Sequence, residues 1–281
     1  MQTTGITLSV TLLAVALAGT APAKTAPAKE PGDVDKLVDG NTAFAVALYR
    51  ELSKDEGNVF FSPFSVSAAL GMTCAGARGD TAGQIRSALN VDLEQPKLHP
   101  AFKRLTHELV GAARESGQIL RIANGLCLTG GNISGEYENL LRENYDAELF
   151  GGGISAVNSW VKRKTEGRIP RILEELSADS VCVILNAIYF RGTWADKFKP
   201  GRTRDAPFQI APGKSVSVRL MNRRDGFRMI ENADFQAISL PYERERLSMV
   251  VVLPRAADGL AALEAGLSDA KLRQWLSDLD A

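Results

Sequence analysis

The chain has 281 residues, an apolar fraction of 45%, and 33 Lys plus Arg against 33 Asp plus Glu, so its net charge is zero. That balance argues against a protein that binds nucleic acid by bulk neutralisation of phosphates. The apolar content is that of an ordinary globular domain.

Met1–Ala23 carries no charged side chain. Within it, Ile6–Ala18 is an apolar run of 13 residues, too short to span a bilayer. Ala21-Pro22-Ala23 then places small residues at the −3 and −1 positions of a cleavage site. Residues 1–23 therefore read as a secretory signal peptide, although Lys or Arg is missing from its start; Ala16-Leu17-Ala18 is an alternative cut. Residues 24–32, rich in Ala, Pro and Lys, read as an exposed linker. The folded domain is expected over residues 33–281, outside the cytoplasm, either extracellular or periplasmic.

Asp33–Lys54 has helical apolar spacing. Asn58–Ser62 reads as a short strand, and Pro63 opens a helix running to about Ala75. Thr81-Ala-Gly-Gln84 matches a capping box and predicts a helix ending near Asn90. Lys97–Glu115 reads as a polar helix, Gln118–Thr129 as a long strand, Glu136–Tyr145 as a helix and Ala147–Phe150 as a short strand. Ile154–Thr165 is expected to be a helix closed by Gly167 in the C′ role. Strands follow at about 181–190, 205–210, 215–221, 226–231, 235–240 and 247–253, then helices at about 258–266 and 269–279. Without regular βαβ alternation, this is an α+β pattern with at least two sheets.

Chemistry-bearing motifs are scarce. The sequence contains no G-x-S-x-G, H-E-x-x-H, P-loop or G-x-G-x-x-G. Its two histidines, His99 and His107, share the polar helix about 80° apart, which makes a poor metal clip. Cys74, Cys127 and Cys182 sit in apolar or small-residue runs and read as buried free thiols, with one disulfide plus a spare as the alternative. No enzyme, metal or cofactor is expected. Two basic runs, one from Lys162 to Arg171 and one comprising Arg219, Arg223, Arg224 and Arg228, read as solvated faces. Neither a nucleic-acid nor a membrane partner is expected.

Val181–Phe198, VCVILNAIYFRGTWADKF, is the most informative stretch. Ten consecutive uncharged residues, Val181–Phe190, read as a strand buried on both faces, with Asn186 in its middle requiring partners for its amide. NAIYFRGTWADKF (Asn186–Phe198) resembles a sheet strand of the serpins, a family of serine protease inhibitors. Three further segments resemble the same family, in order and at near-family spacing: NVFFSPFSVSAALGMTCAGARGDTAGQI (Asn58–Ile85), NSWVKRKTEGRI (Asn158–Ile169) and LSMVVVLP (Leu247–Pro254).

The resemblance covers about 33 to 281 and implies a serpin fold, helices layered on large mixed sheets. It implies inhibition of a target serine protease, or a cysteine protease, by suicide-substrate trapping in a monomeric protein. In that mechanism a cleaved loop inserts into the main sheet as a new strand. Ser62, Pro63, Ser65 and Asn186 match the family's shutter positions beneath the opening strands, and Trp194 matches the breach where the loop first enters. Read without the family, the five are an N-cap serine, a first-turn proline, a serine in that turn, a core amide and a core indole. FGGGISA (Phe150–Ala156) is shorter than the family's connection to the helix on the front of the sheet, so that helix is expected to lose its first turns. The resemblance also implies a C-terminally incomplete domain, with the reactive-centre bond beyond Ala281. A non-inhibitory serpin, acting by binding or as a chaperone, and an inert truncated chain are the alternatives.

Overall fold

The computed structural model describes residues 32–55, 57–211 and 213–280. Within them, four helices form a back layer: α1 (Asp33–Leu52), α2 (Pro63–Gly76), α4 (Gln95–Glu115) and α5 (Gly135–Tyr145), with the short α3 (Gly79–Ala88) at its edge. Against this layer lies a three-stranded sheet ordered β2-β1-β3, from β2 (Glu148–Gly151), β1 (Ile119–Leu128) and β3 (Cys182–Arg191). β1 pairs antiparallel with β3 over its whole length and parallel with β2. A single helix, α6 (Ile154–Lys164), covers the front.

The period of two along the strands sorts side chains between two cores. Leu120, Ile122, Leu126, Cys182 and Ile184 point back among Leu98, Phe102, Leu105 and Met72. Cys127, Leu185 and Ala187 point forward against Val157, Trp160 and Val161 of α6. Gly125 lets the α6 indole approach: a Cβ there would meet Trp160 at 2.9 Å. The same alternation puts Cys127 and Cys182 on opposite faces, and all three cysteines are free thiols.

Two smaller sheets follow. The hairpin of β4 (Arg204–Ala211) and β5 (Lys214–Leu220) stands by itself as one. The other is antiparallel β6 (Arg228–Glu231), β7 (Phe235–Pro241) and β8 (Ser248–Pro254). Short α7 (Leu260–Ala265) precedes α8 (Asp269–Asp280), whose Trp275 and Leu279 pack on β7 and β8. Tyr242, Leu247, Phe190 and Trp194 join this sheet to the end of β3.

Several expectations are corrected. Asn58–Ser62 is extended but forms no strand among the described residues; Val59 and Phe61 pack towards α1 and α8, while Phe60 is 84% exposed. α3 begins at Gly79 after Arg78, so Thr81 lies inside the helix and makes no cap. α6 closes with Thr165 as C-cap and Glu166 at φ 51°; Gly167 comes one residue later and donates its N–H to the Lys162 carbonyl. Glu166, not Gly167, is therefore the C′ residue of a Schellman turn. α4 is not polar: it buries Leu98, His99, Ala101, Phe102, Leu105, Leu109, Ala112 and Ala113. β3 is covered on both faces, yet only Leu185 and Ala187 are fully buried, because the strand lies at an edge of its sheet among the described residues.

Candidate functional site

Asn186 and Asn124 face each other across the antiparallel β1–β3 pair and both point towards the back helices. Asn186 Nδ2 donates to Asn124 Oδ1 at 2.7 Å, and Asn124 Nδ2 donates to the Tyr145 carbonyl at the end of α5 at 2.7 Å. Burying two amides in the sheet is tolerable because each donates to a fixed acceptor. The chain of bonds continues through the Tyr145 hydroxyl, 2.8 Å from His99 Nδ1 on α4. Two atoms of this network are buried without a partner among the described residues, Asn186 Oδ1 and His99 Nε2. Burial holds the His99 imidazole down at about 4 and pushes the Tyr145 phenol well above its usual range.

α2 packs against β3 from the same side. Ser62 is its N-cap, accepting from the Ser65 N–H at 3.2 Å, and Pro63 occupies the first turn. The hydroxyl that reaches a neighbouring helix is that of Ser67, which donates to Asn41 Oδ1 of α1 at 2.7 Å. No hydrogen bond joins Asn186 to Ser62 or Ser65 among the described residues. Ser62, Pro63, Ser65 and Asn186 thus share one side of the sheet without a direct polar link.

Trp194 lies just past β3. Its indole stacks on the Tyr242 ring with centroids 4.5 Å apart and meets Phe198 edge-on. Phe190 meets Tyr242 at 5.0 Å, and Gly192 makes room, since a Cβ there would reach the Tyr242 ring at 2.6 Å. Gln118 fastens this corner: its Oε1 accepts from the Thr193 N–H at 2.6 Å while its Nε2 donates to the Ser116 carbonyl.

On the front face, Trp160 stacks with Phe150 of β2 and donates from Nε1 to Glu148 Oε2 at 2.8 Å. Glu148 also receives Lys164 and Arg163, and the hydrogen bond from Lys164 leads the causes that hold its carboxyl below the usual range. Asn158 of α6 clamps the returning chain, accepting from the N–H groups of Ile172 and Leu173 and donating to the Leu173 carbonyl. Among the described residues, no group of three or more His, Cys, Asp or Glu is placed to hold a metal.

Asn124, Tyr145 and Gln118 escaped the sequence reading as site residues, and His99 was weighed there only as a metal ligand. For Asn124 the signal was present, an amide in the middle of the apolar run ILRIANGLCL, the same pattern that singled out Asn186.

The sequence profile of the family Serpin (serine protease inhibitor) matches residues 39–281. A leukocyte elastase inhibitor of Bos taurus is 35% identical over 261 residues, covering 86% of this chain and 68% of that protein. Ipis-1 of Ixodes persulcatus is 35% identical, covering 84% of this chain and 66% of its own length. The structure of cleaved kallistatin superposes with a TM-score of 0.81 at 25% identity, over 89% of this chain and 76% of that one. The architecture is a serpin-type α+β fold. The chain belongs to the serpin family, and it spans about two thirds of the length of these two relatives.

Asn186→Leu is expected to destabilise by about 1–2 kcal/mol. The change strands Asn124 Oδ1 but also removes the unpartnered Asn186 Oδ1, which offsets part of the loss. Urea denaturation at neutral pH measures it, and a loss above about 4 kcal/mol would contradict this view of the pair.

Proposed function

We propose that the protein to which this chain belongs inhibits a serine protease as a suicide substrate. Residues 33–281 supply the sheet that receives the cleaved loop. The observation that carries this reading is the serpin profile match over residues 39–281, on a main sheet that ends at β3 among the described residues. Ten residues of strand have their second row of backbone N–H and C=O groups free among the described residues. Beside that row lies Asn186, whose Oδ1 has no partner among the described residues. An edge with its ladder unfilled accepts a further strand, and a spare amide oxygen can take a bond as strands part or close. In this reading Ser62, Pro63, Ser65 and Asn186 act as the shutter. Trp194, stacked on Tyr242 at the end of β3, marks where the incoming strand starts. Inhibition by the leukocyte elastase inhibitor relatives supports the target class.

The test incubates the full-length protein with a panel of serine proteases and looks for a complex that survives boiling in SDS. One such band per inhibited protease, at one-to-one stoichiometry, is expected. Cleavage of the protein without any stable complex would overturn the proposal.

Export is part of the same reading. Met1–Ala23 lies outside the described residues, and its apolar run followed by Ala-Pro-Ala supports removal on secretion. No helix of the described residues is long and apolar enough to cross a membrane. The intact mass of exported protein is expected to begin at Lys24; retention of Met1 would refute the assignment.

A further inference from the structure

Residues 197–228 carry nine Lys or Arg against two Asp, in a chain whose overall charge is zero. The fold gathers these charges at one place. β4 and β5 pair so that Arg204 faces Leu220 and Asp205 faces Arg219, which sets the approach to the hairpin, 197–204, beside its exit, 219–224. Arg223 locks the two together. Its guanidinium lies 5.7 Å from the Phe198 ring centre and 4.7 Å from that of Phe227, and its NH1 donates to the Asp196 carbonyl. With Arg223 used as the internal staple, Lys197, Lys199, Arg202, Arg204, Arg219 and Arg224 are all exposed. None of these six forms an ion pair among the described residues; Arg223 engages Asp196 and Asp225, Arg228 engages Glu245, and Asp205 lies opposite Arg219 in the ladder without an ion pair to it.

The cations are not alone. Met221 is 58% exposed and Met229 is 47% exposed, and the two bracket the segment that holds Arg223, Arg224 and Arg228. A dissolved polyanion would account for the lysines and arginines but gives exposed methionines nothing to bury against. Exposed aromatic rings on which nucleic-acid bases could stack are absent from the described residues of the segment, since Phe198, Phe208 and Phe227 are all partly buried. An anionic bilayer satisfies both features. Its headgroups attract the unpaired cations, and its interface takes up apolar side chains placed between them.

We propose that the base of the β4–β5 hairpin, with Met221 and Met229, is a docking surface for a membrane that carries anionic lipid. The surface is distinct from the sheet edge at β3 and works without any cleavage step.

Flotation of the purified full-length protein with vesicles tests it. Vesicles of phosphatidylcholine with about one third phosphatidylserine are expected to carry the protein to the top, whereas pure phosphatidylcholine vesicles leave it behind. Arg219→Glu with Arg224→Glu is expected to weaken binding about tenfold or more. Met221→Ser with Met229→Ser should weaken it several-fold while leaving the salt dependence unchanged. Lys97→Glu with Arg114→Glu, an equal charge reversal on α4, should leave binding within about twofold. All four substituted positions of the hairpin region that are tested are exposed, so thermal melts of those variants are expected to match the parent. The proposal is overturned if neutral vesicles bind equally well, if the α4 reversal has the same effect, or if anionic vesicles do not bind. It is also overturned if dextran sulfate or duplex DNA binds as tightly and the methionine variant changes nothing, which would make the patch a site for soluble polyanions.

Discussion

Trp160→Ala is expected to lower the stability of the fold by about 4 kcal/mol, the range for removing a large buried aromatic. The indole is 2% exposed at the centre of the front core, between Val157, Val161, Leu185 and Ala187. Its approach to β1 exists only because position 125 is glycine. Truncation empties that seat, and neither strand can move inward to fill it, since β1 is held by β2 and β3 on its two sides. The stack on Phe150 and the bond to Glu148 disappear as well, although Glu148 keeps Lys164 and Arg163. Trp160→Phe retains a ring over Gly125 and loses only the Nε1 bond and part of the volume, so it should cost about 1–2 kcal/mol. Urea denaturation of the three proteins at pH 7 gives both values. If the alanine variant lost less than about 1.5 kcal/mol, α6 would not be fastened through this residue. Because α6 is the one helix that covers the front of the main sheet among the described residues, the same variant should also expose the β1–β3 face to amide exchange before the back layer opens.

Legibility of the fold followed locality. The two long strands were readable because each is mostly apolar with one amide near its middle, although β1 also carries Arg121, and the antiparallel register sets Asn124 opposite Asn186. β4 to β8 were readable from alternation and turn residues. The failures have separate physical origins. α4 looked polar because its charged residues are conspicuous, yet Leu98, Phe102, Leu105 and Leu109 keep the i, i+3, i+4 spacing of a buried stripe. His99 belongs to that stripe, which composition does not reveal, since a histidine is buried only where another element supplies a partner, and here the partner comes from residue 145. Thr81 fits the capping-box pattern, but Arg78 and Gly79 already provide the turn that starts α3. Segment 58–62 has strand propensity and nothing beside it to pair with among the described residues. Of the candidate site, Ser62, Pro63, Ser65 and Trp194 were singled out by resemblance to the family's shutter and breach positions, and Asn186 by its apolar surroundings as well. Gln118 and Tyr242, which fix Trp194, belong to distant parts of the chain and carry no local signal.

Acidification is the second large effect. Burial holds the His99 imidazole at about 4 in the folded protein, against about 6.5 in the unfolded chain. The folded state therefore binds the neutral ring. Its contribution is fully present above the unfolded value, falls as the pH drops through 6.5, and levels off below about 4. With 1.36 kcal/mol for each pH unit between the two values, the total loss is about 3 kcal/mol, of which about 2 kcal/mol appears by pH 5. The direction follows from the geometry. His99 is 3% exposed, its Nδ1 faces a phenol that stays neutral throughout this range, and its Nε2 is buried with no hydrogen-bond partner among the described residues, so an imidazolium would leave a buried N–H unsatisfied. Among the described residues no carboxylate pairs with the ring, unlike exposed His107 on the same helix, which lies 2.9 Å from Asp146. Glu148 acts with the opposite timing: its lowered carboxyl adds stability above its ordinary range near 4.5 and loses it only in stronger acid. Between pH 7 and pH 5 Glu148 therefore keeps most of its contribution, and the His99→Gln variant assigns the histidine's share of the difference. Urea midpoints at the two pH values are expected to differ by about 2 kcal/mol in the parent protein and by much less in His99→Gln, whose amide can still meet the Tyr145 hydroxyl but does not titrate. Tyr145→Phe removes the phenol yet leaves the ring buried, so it should be less stable at both pH values and keep most of the pH dependence. If His99→Gln retained the full difference between pH 7 and pH 5, the acid sensitivity would have to arise elsewhere, and the histidine would be reached by water in the folded state.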